Sequence, residues 1–421
     1  MRESATDAEA TVYLKEEINH EFARFEERSK PENFDPLPNI PTGRYIDDDF
    51  FALEQERIWS KTWLLAGHAD EVPDIGSYKL WESSGTPILI VRGRDNQIRA
   101  FYNTCTHRGG PLVRQALGQE KVFVCKYHCW AFSLDGALNH IPDEHEFIAI
   151  DKSKRGLKPI RCEMFGRWIY VNRDPNAMPL DEFLGPLTHE LADFEPDNLH
   201  FVTRYHFDLE CNWKITMDAF QEVYHLKHIH PNTVDAAIDH RSASMALFPQ
   251  GSSRMFVAAK TGETKFTSIP AQSPLEEGEQ HEIVRSGSLS YNMFPNIVTP
   301  IGAYEFPYLQ FWPTSKRTTR FEVTFFSRGD NVDPESNYWK DQIAGFNVIL
   351  GEDNENLPWI QRSIESGGID GIPLSYQERR IYHFHEFLDQ VIGVDDIPEN
   401  LRVEPRLSEL QEDGKGQRLA S

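Results

Sequence analysis

Two short segments limit what this chain can become: Cys105-Thr-His107 and, beyond residues 108–124, Cys125-Lys-Tyr-His128. Each brings one thiol and one imidazole to a single loop. Neither loop completes a metal site alone, so the fold must hold the two face to face on a rigid scaffold. Thiolates bind the iron of iron–sulfur clusters, and imidazole is the less charged ligand that raises the potential of such a cluster. Both thiolates on one iron and both imidazoles on a second would use all four groups. A single zinc ion is the competing reading, but zinc sites more often pair Cys with Cys on one hairpin and His with His on another element. Cys129 has no place in the four-ligand count, and packing against its loop is its expected role.

The flanking sequence supplies a scaffold. From Thr62 to about Asn172, short β-type runs (TWLLAGH, SYKLW, PILIVRG, IRAFYN) are separated by Gly, Pro and Asp, which predicts an all-β domain over 61–175. Residues 1–60 read as a helical segment packing on the second domain: an amphipathic helix at about 8–29, a proline-rich stretch 31–43 and a short helix at 47–60. A break at RDPNAMPL, residues 173–180, precedes a second domain over 180–421. Its strand-like runs (FVTRYHFDLE, NMFPNIV, YLQFWPT, TTRFEVTFFSR) accompany helices around 212–229, 335–350 and 354–366. A last helical run, LSYQERRIYHFHEFLDQVIG, leads to a polar tail from about 402. The whole is an α+β chain.

Charge and cysteine count narrow the setting. With 43 basic and 66 acidic residues the net charge is −23, which repels phosphate and excludes nucleic acid and anionic membranes as partners. Five cysteines in 421 residues do not make a disulfide framework. The sequence has no apolar signal core and no apolar run of ~18 residues, so a cytoplasmic location is expected, with thiols free to bind metal.

A second cluster lies in NWKITMDAFQEVYHLKHIHP, residues 212–231, which places Glu222, His225, His228 and His230 within nine positions. On a regular helix of about 100° per residue, His225 and His228 lie roughly 60° apart and His225 and His230 roughly 140° apart. Pro231 disfavours helical geometry at His230, which lets that ring swing back toward His225. Glu222 shares the helical face of His225 and can accept a hydrogen bond from its non-ligating nitrogen. Two histidines and a carboxylate form the facial triad of non-haem Fe(II) oxygenases. The segment GFNVILGEDNENLPWIQRS, residues 345–363, offers Glu352 and Asp353 as the carboxylate, with helix capping as the ordinary alternative.

The loops NTCTHRGGPL and CKYHCWAFSLDGAL resemble those of Rieske non-haem iron aromatic ring-hydroxylating oxygenase α (catalytic) subunits. Trp130, Asp135 and Gly136 match that pattern, and Cys129 departs from it where Gly is common. E-x-Y-H-x-x-x-x-H resembles the family's mononuclear iron motif, with Trp213 and Tyr224 also matching. The resemblance implies a [2Fe–2S] cluster on Cys105, His107, Cys125 and His128. It implies Fe(II) on His225 and His230, with His228 as the alternative, and on Asp353, with Glu352 as runner-up in an E-D…Q pattern ending at Gln361. Glu222 falls on the carboxylate that links a neighbouring subunit's cluster histidine (His128 here) to His225. Asp218, where Asn is frequent, is a second catalytic candidate with an open role.

The resemblance further implies a helix-grip-like catalytic domain with antiparallel sheet and helices, and a homotrimer with or without a small β subunit. Electrons would come from NAD(P)H through a reductase, with or without a ferredoxin; this chain has no G-x-G-x-x-G fingerprint after a strand. The expected reaction uses O2 to hydroxylate a small, mostly apolar aromatic substrate, with cis-dihydroxylation as the first reading. Hydroxylation or N- or O-demethylation by a monooxygenase is the alternative, and a non-enzymatic electron carrier or sensor is a rival from another class. Phe220, Leu226, Met293, Phe294, Phe306 and Phe346 are candidates to line the substrate cavity, with Tyr304 and Gln221 for a polar substituent. Core packing competes for each.

Overall fold

The computed structural model describes residues 5–260, 282–302 and 305–412, so Tyr304 lies outside the described residues. They fall into two compact units: residues 59–183 with 196–201, and residues up to 58, 184–195 and from 202 onward.

In the smaller unit the β-type runs become Leu64–His68, Ser77–Trp81, Ile88–Arg92 and Ile98–Tyr102. With Leu117–Gln119, Pro159–Phe165 and Trp168–Asn172 they form a seven-stranded antiparallel sheet. A separate three-stranded sheet, Phe123–Val124, Ala131–Phe132 and Leu138–His140, carries the second Cys–His loop between its first two strands. Period-2 alternation sends Leu89, Val91 and Phe101 into a core shared with Cys105, Cys125 and Trp130, so both loops rest on packed side chains. Gly136, at φ +87°, makes the turn after Phe132; a Cβ there would sit 2.5 Å from the Phe101 ring.

The larger unit is built on a seven-stranded sheet in the order His200–Leu209, Thr318–Ser327, Glu305–Ser315, Ile297–Ile301, Gly287–Met293, Ser253–Ala258, Ser244–Leu247. From Thr318–Ser327 onward every pairing is antiparallel. Register puts Met255 beside Ser290, Ser290 beside Pro300, Val298 beside Leu309 and Leu309 beside Val323, all on one face. Helix Asn337–Asn354, capped by Ser336, lies on that face: Phe346 meets Phe325 at 5.4 Å, and Tyr205 Oη donates to Asn347 Oδ1 at 2.7 Å. Helix Arg379–Ile392 meets that face too, through Arg380 on Ser253 and Ser290, with most of its side chains buried.

Residues 212–229 are not one helix. Trp213–Ala219, capped by Asn212, stops, and a four-residue turn Leu226–Ile229 follows. Between them the Glu222 carboxylate accepts from the backbone N–H groups of Tyr224 and His225, bonds that compete with helix continuation. The polar tail from about 402 is also more than a tail. Val403 N donates to Asp389 at 2.8 Å, Arg406 N and Leu407 N donate to Glu386, and Tyr382 Oη donates to Glu404 O, laying this stretch against helix Arg379–Ile392.

The N-terminal helices Ala5–Glu27 and Asp48–Arg57 belong to the larger unit. Ser244 Oγ donates to Glu17, and Glu54 is wholly buried, accepting from Lys214 Nζ at 2.5 Å and Trp213 Nε1 at 3.1 Å. Among the described residues no helix is long and apolar enough to cross a membrane.

Candidate metal centres and active site

In the smaller unit the two loops bring like groups together. Cys105 and Cys125 are both 2% exposed, and the rings of His107 and His128 lie 4.5 Å apart. His107 stacks on Trp130 at 4.7 Å, and its Nδ1 is buried without a partner. A Cβ on Gly110 would come within 3.2 Å of the Cys125 sulfur, so glycine keeps the space beside that thiol open. Among the described residues no three of these four side chains bring their ligand atoms within 4.8 Å of one another, as one tetrahedral ion would require. Adjacent thiols, adjacent rings and an orphaned ring nitrogen fit a two-iron cluster. Cys129 is exposed rather than packed; its φ of +56° explains why Gly suits the position.

In the larger unit His225, His230 and Asp353 bring one ligand atom each within 4.8 Å of one another. Both Nε2 atoms face Asp353 Oδ1, at 3.6 Å from His225 and 3.0 Å from His230. The helix break makes this possible, because His225 precedes the turn Leu226–Ile229 and His230 ends it at φ −115°. His228 is exposed and outside the cluster.

Each ring is anchored from behind. His225 Nδ1 pairs with Glu222 Oε1, and His230 Nδ1 with Glu352 Oε2 at 2.7 Å, which leaves both Nε2 atoms for a metal. Glu352, the runner-up ligand, therefore orients His230, and also accepts from Thr233 Oγ1 at 2.6 Å. Glu222 reaches His225 from a turn, not from the helical face expected for it. Burial opposes the charged form of both rings, yet the carboxylates around them, Glu222 and Asp353 at His225 and Asp353 and Glu352 at His230, outweigh it and raise both pKa values above the ordinary histidine value. Glu352 and Asp353 end an 18-residue helix, where the macrodipole disfavours negative charge; pairing with the histidines offsets that cost. Two imidazoles and a carboxylate with open space beside them fit a non-haem iron ion.

Asp218 takes no part in the triad. Its Oδ2 accepts from Tyr45 Oη at 2.6 Å and faces His385 Nε2 at 3.3 Å. Arg44 Nε donates to His385 Nδ1 at 3.1 Å, which fixes the His385 proton on Nε2, toward Asp218.

Two cavities meet these residues. One of about 320 Å³ lies on the sheet side, bounded by His225, His230 and Asp353 and walled by Phe220, Leu226, Phe346, Met255 and Val298. The other, about 740 Å³, lies beyond Asp218, Glu222 and His225, under Trp359 and Ile360. Of the expected cavity residues, Phe220, Leu226 and Phe346 line the first. Gln221 is buried against Asn292 (3.0 Å), Phe294 packs on Phe384 and Phe387, and Met293 and Phe306 belong to the opposite sheet face; none of these four lines it.

A cluster-binding β unit and a histidine–carboxylate iron site on one chain define an iron-dependent oxygenase with its own electron entry point. Residues 62–174 match the Rieske [2Fe-2S] domain family, and residues 196–393 match the ring hydroxylating alpha subunit (catalytic domain) family. The carnitine monooxygenase oxygenase subunit of Escherichia coli (strain K12) is 30% identical over 383 residues, 86% of this chain and 96% of that protein. The glycine betaine monooxygenase oxygenase subunit of Pseudomonas aeruginosa (strain UCBPP-PA14) is 30% identical over 212 residues, 50% of this chain and 48% of that protein. The solved structure of naphthalene 1,2-dioxygenase from Rhodococcus sp. bound to indole, at 21% identity, shares the fold with a TM-score of 0.70 over 84% of this chain and 94% of that one. The chain belongs to the Rieske non-haem iron oxygenase α subunits, enzymes that use O2 and a reductase, with a [2Fe–2S] cluster and a non-haem iron as cofactors.

Proposed function

We propose that the chain is a monooxygenase that hydroxylates or N-demethylates a small quaternary ammonium compound. The aromatic cis-dihydroxylation expected from the motifs gives way to that alternative, because a relative matched over 96% of its length is named a carnitine monooxygenase. The carrying observation in the site is the 320 Å³ cavity that opens on the triad and is walled by apolar groups. A trimethylammonium group offers no hydrogen-bonding hydrogen and suits such walls, and the aromatic side chains Phe220 and Phe346 among them suit its positive charge.

In this reading His225, His230 and Asp353 hold the iron, and Cys105, His107, Cys125 and His128 hold the cluster. With iron bound there, the site would supply activation of O2 beside the substrate. Glu222 and Glu352 keep a proton on each Nδ1 so that each Nε2 stays available. The apolar walls exclude water from the reacting carbon. Glu222 also faces the larger cavity, whose rim carries Trp359, 61% exposed, and Ile360, 43% exposed. A second copy of the chain, docking its His128 loop over this rim in a trimer, would receive Glu222 as the bridge to His225.

Hydroxylation of an N-methyl group consumes one O2 and one NADH, placing one oxygen atom in product and one in water. The resulting N–CH2OH breaks to formaldehyde and a tertiary amine. The test supplies holoenzyme, a surrogate reductase, NADH and 18O2 with glycine betaine, carnitine, choline or naphthalene. Substrate-dependent uptake of one O2 per NADH, with formaldehyde or a singly hydroxylated product from an ammonium compound, supports the proposal. A cis-diol bearing two labelled oxygens from naphthalene, with none of the ammonium compounds oxidised, overturns it.

A further inference from the structure

Arg380 is fully buried, yet among the described residues no carboxylate pairs with it to offset that burial. Its Nε donates to Ser253 Oγ at 2.9 Å and its Nη1 to Ser290 Oγ at 3.3 Å, while Nη2 has no partner. Burial pushes the guanidinium down to about 9, and Arg379 beside it adds to the effect. His383, one turn further along the helix, gives no counter-charge: burial pushes it down to about 4, so it is neutral. A buried cation without an anion is costly, and native structures seldom leave one uncompensated.

Ser290 links this charge to the 320 Å³ cavity, because it lines the cavity and accepts from Arg380. Ser290 lines the cavity, as does Ser288 two positions earlier on the same face. The Ser290 oxygen already accepts from Arg380, so its own O–H is left to donate, polarised by the cation behind it. The rest of the sheet wall at this end, Met255, Val298 and Pro300, is apolar.

We infer that the Ser290 end of the cavity binds an anionic group of the substrate, a carboxylate, with Ser290 as the contact and Arg380 as the positioning residue that supplies the charge. This rests on the quaternary ammonium reading for the other end of the ligand, and makes the substrate a zwitterion: cationic head at the triad, carboxylate at Ser290.

Three probes separate the two halves of the claim by calorimetry on the holoenzyme. Glycine betaine carries both charges, choline keeps only the trimethylammonium group, and 3,3-dimethylbutanoate is the carbon isostere that keeps only the carboxylate. Ser290→Ala and Arg380→Gln are expected to weaken glycine betaine and 3,3-dimethylbutanoate roughly 10- to 100-fold, the range for a lost hydrogen bond to a charged group, and to leave choline unchanged. Ser290→Ala removes one surface oxygen of the cavity and keeps the fold testable should Arg380→Gln not fold. If the wild type does not bind 3,3-dimethylbutanoate, or binds it as tightly after Ser290→Ala, the anion site is refuted whatever choline does. If choline fails to bind while 3,3-dimethylbutanoate binds and depends on Ser290, the anion site stands and the ammonium reading falls.

Discussion

Glu352 is the most exacting test of how the iron site is held. Its carboxylate accepts from His230 Nδ1 at 2.7 Å and from Thr233 Oγ1 at 2.6 Å, across more than a hundred residues of chain. The Glu352 side chain is 28% exposed and the His230 ring 2%. Solvent therefore weakens the charge on the acceptor, but cannot replace it as a partner for the buried N–H. A hydrogen bond to a charged group is worth about 1.5–3 kcal/mol, and partial exposure puts this one near the lower end. Glu352→Ala should then weaken iron binding about tenfold, within the range usual for a group that orients a metal ligand. Glu352→Gln, whose amide oxygen can still accept, should lose no more than about threefold. The pH dependence has a defined sign. Burial opposes protonation of His230, but Asp353 and then Glu352 outweigh it, so the proton competes with iron to a higher pH than for an ordinary histidine. Iron loading falls as pH drops through that raised value; without Glu352 the fall moves to lower pH. The assay is iron occupancy against a competing chelator from pH 6 to 8.5, with the cluster's visible absorbance as an internal control. Unchanged affinity and pH profile in Glu352→Ala would refute the orienting role, and loss of cluster absorbance would show that the two sites are not separate.

Three further outcomes follow from the same structure. His225→Ala should lower iron from about three to about two atoms per chain and abolish turnover while the cluster's visible spectrum persists, as iron analysis and absorbance will show. Glu386 is 6% exposed, and burial pushes its carboxyl from 4.5 up to about 7. Because the folded value is raised, its contribution to stability is full below about pH 4.5 and is lost as pH rises through 7. At about 1.4 kcal/mol for each pH unit the ceiling is roughly 3 kcal/mol, and Glu386→Gln should flatten that slope in urea titrations run from pH 5 to 8. Lys214 and Glu54 are fully buried partners, each driven by burial toward its neutral form. Lys214→Met should cost about 3–5 kcal/mol by stranding Glu54, and adding Glu54→Leu should recover much of it in urea denaturation.

What the sequence made legible, and what it hid, divides along the range of the interactions. The cluster loops are local: each pair of ligands sits within four positions, and the strands beside them show their period of two. The approach of His230 to His225 was legible for a related reason, since Pro231 marks the end of the turn that brings the two proposed iron ligands together. The helix break ahead of His225 was not, because it depends on Glu222 turning its carboxylate onto two backbone N–H groups, and nothing in the residue types prevents a helix there. The role of Glu352 was hidden by distance, since its partner lies on another element. The cavity residues show a different failure. On Gly287–Met293 the face toward the cavity holds Ser288 and Ser290, while Leu289, Tyr291 and Met293 point away. On Glu305–Ser315 the cavity takes Leu309, which leaves Phe306 on the far side. Choosing the largest apolar side chains selected the wrong phase of both strands, because a strand buried on both faces carries no polar alternation to set it. The same two-sided burial explains why a serine row against an unpaired arginine escapes notice in sequence: serine in a buried strand reads as filler until a charge is found behind it.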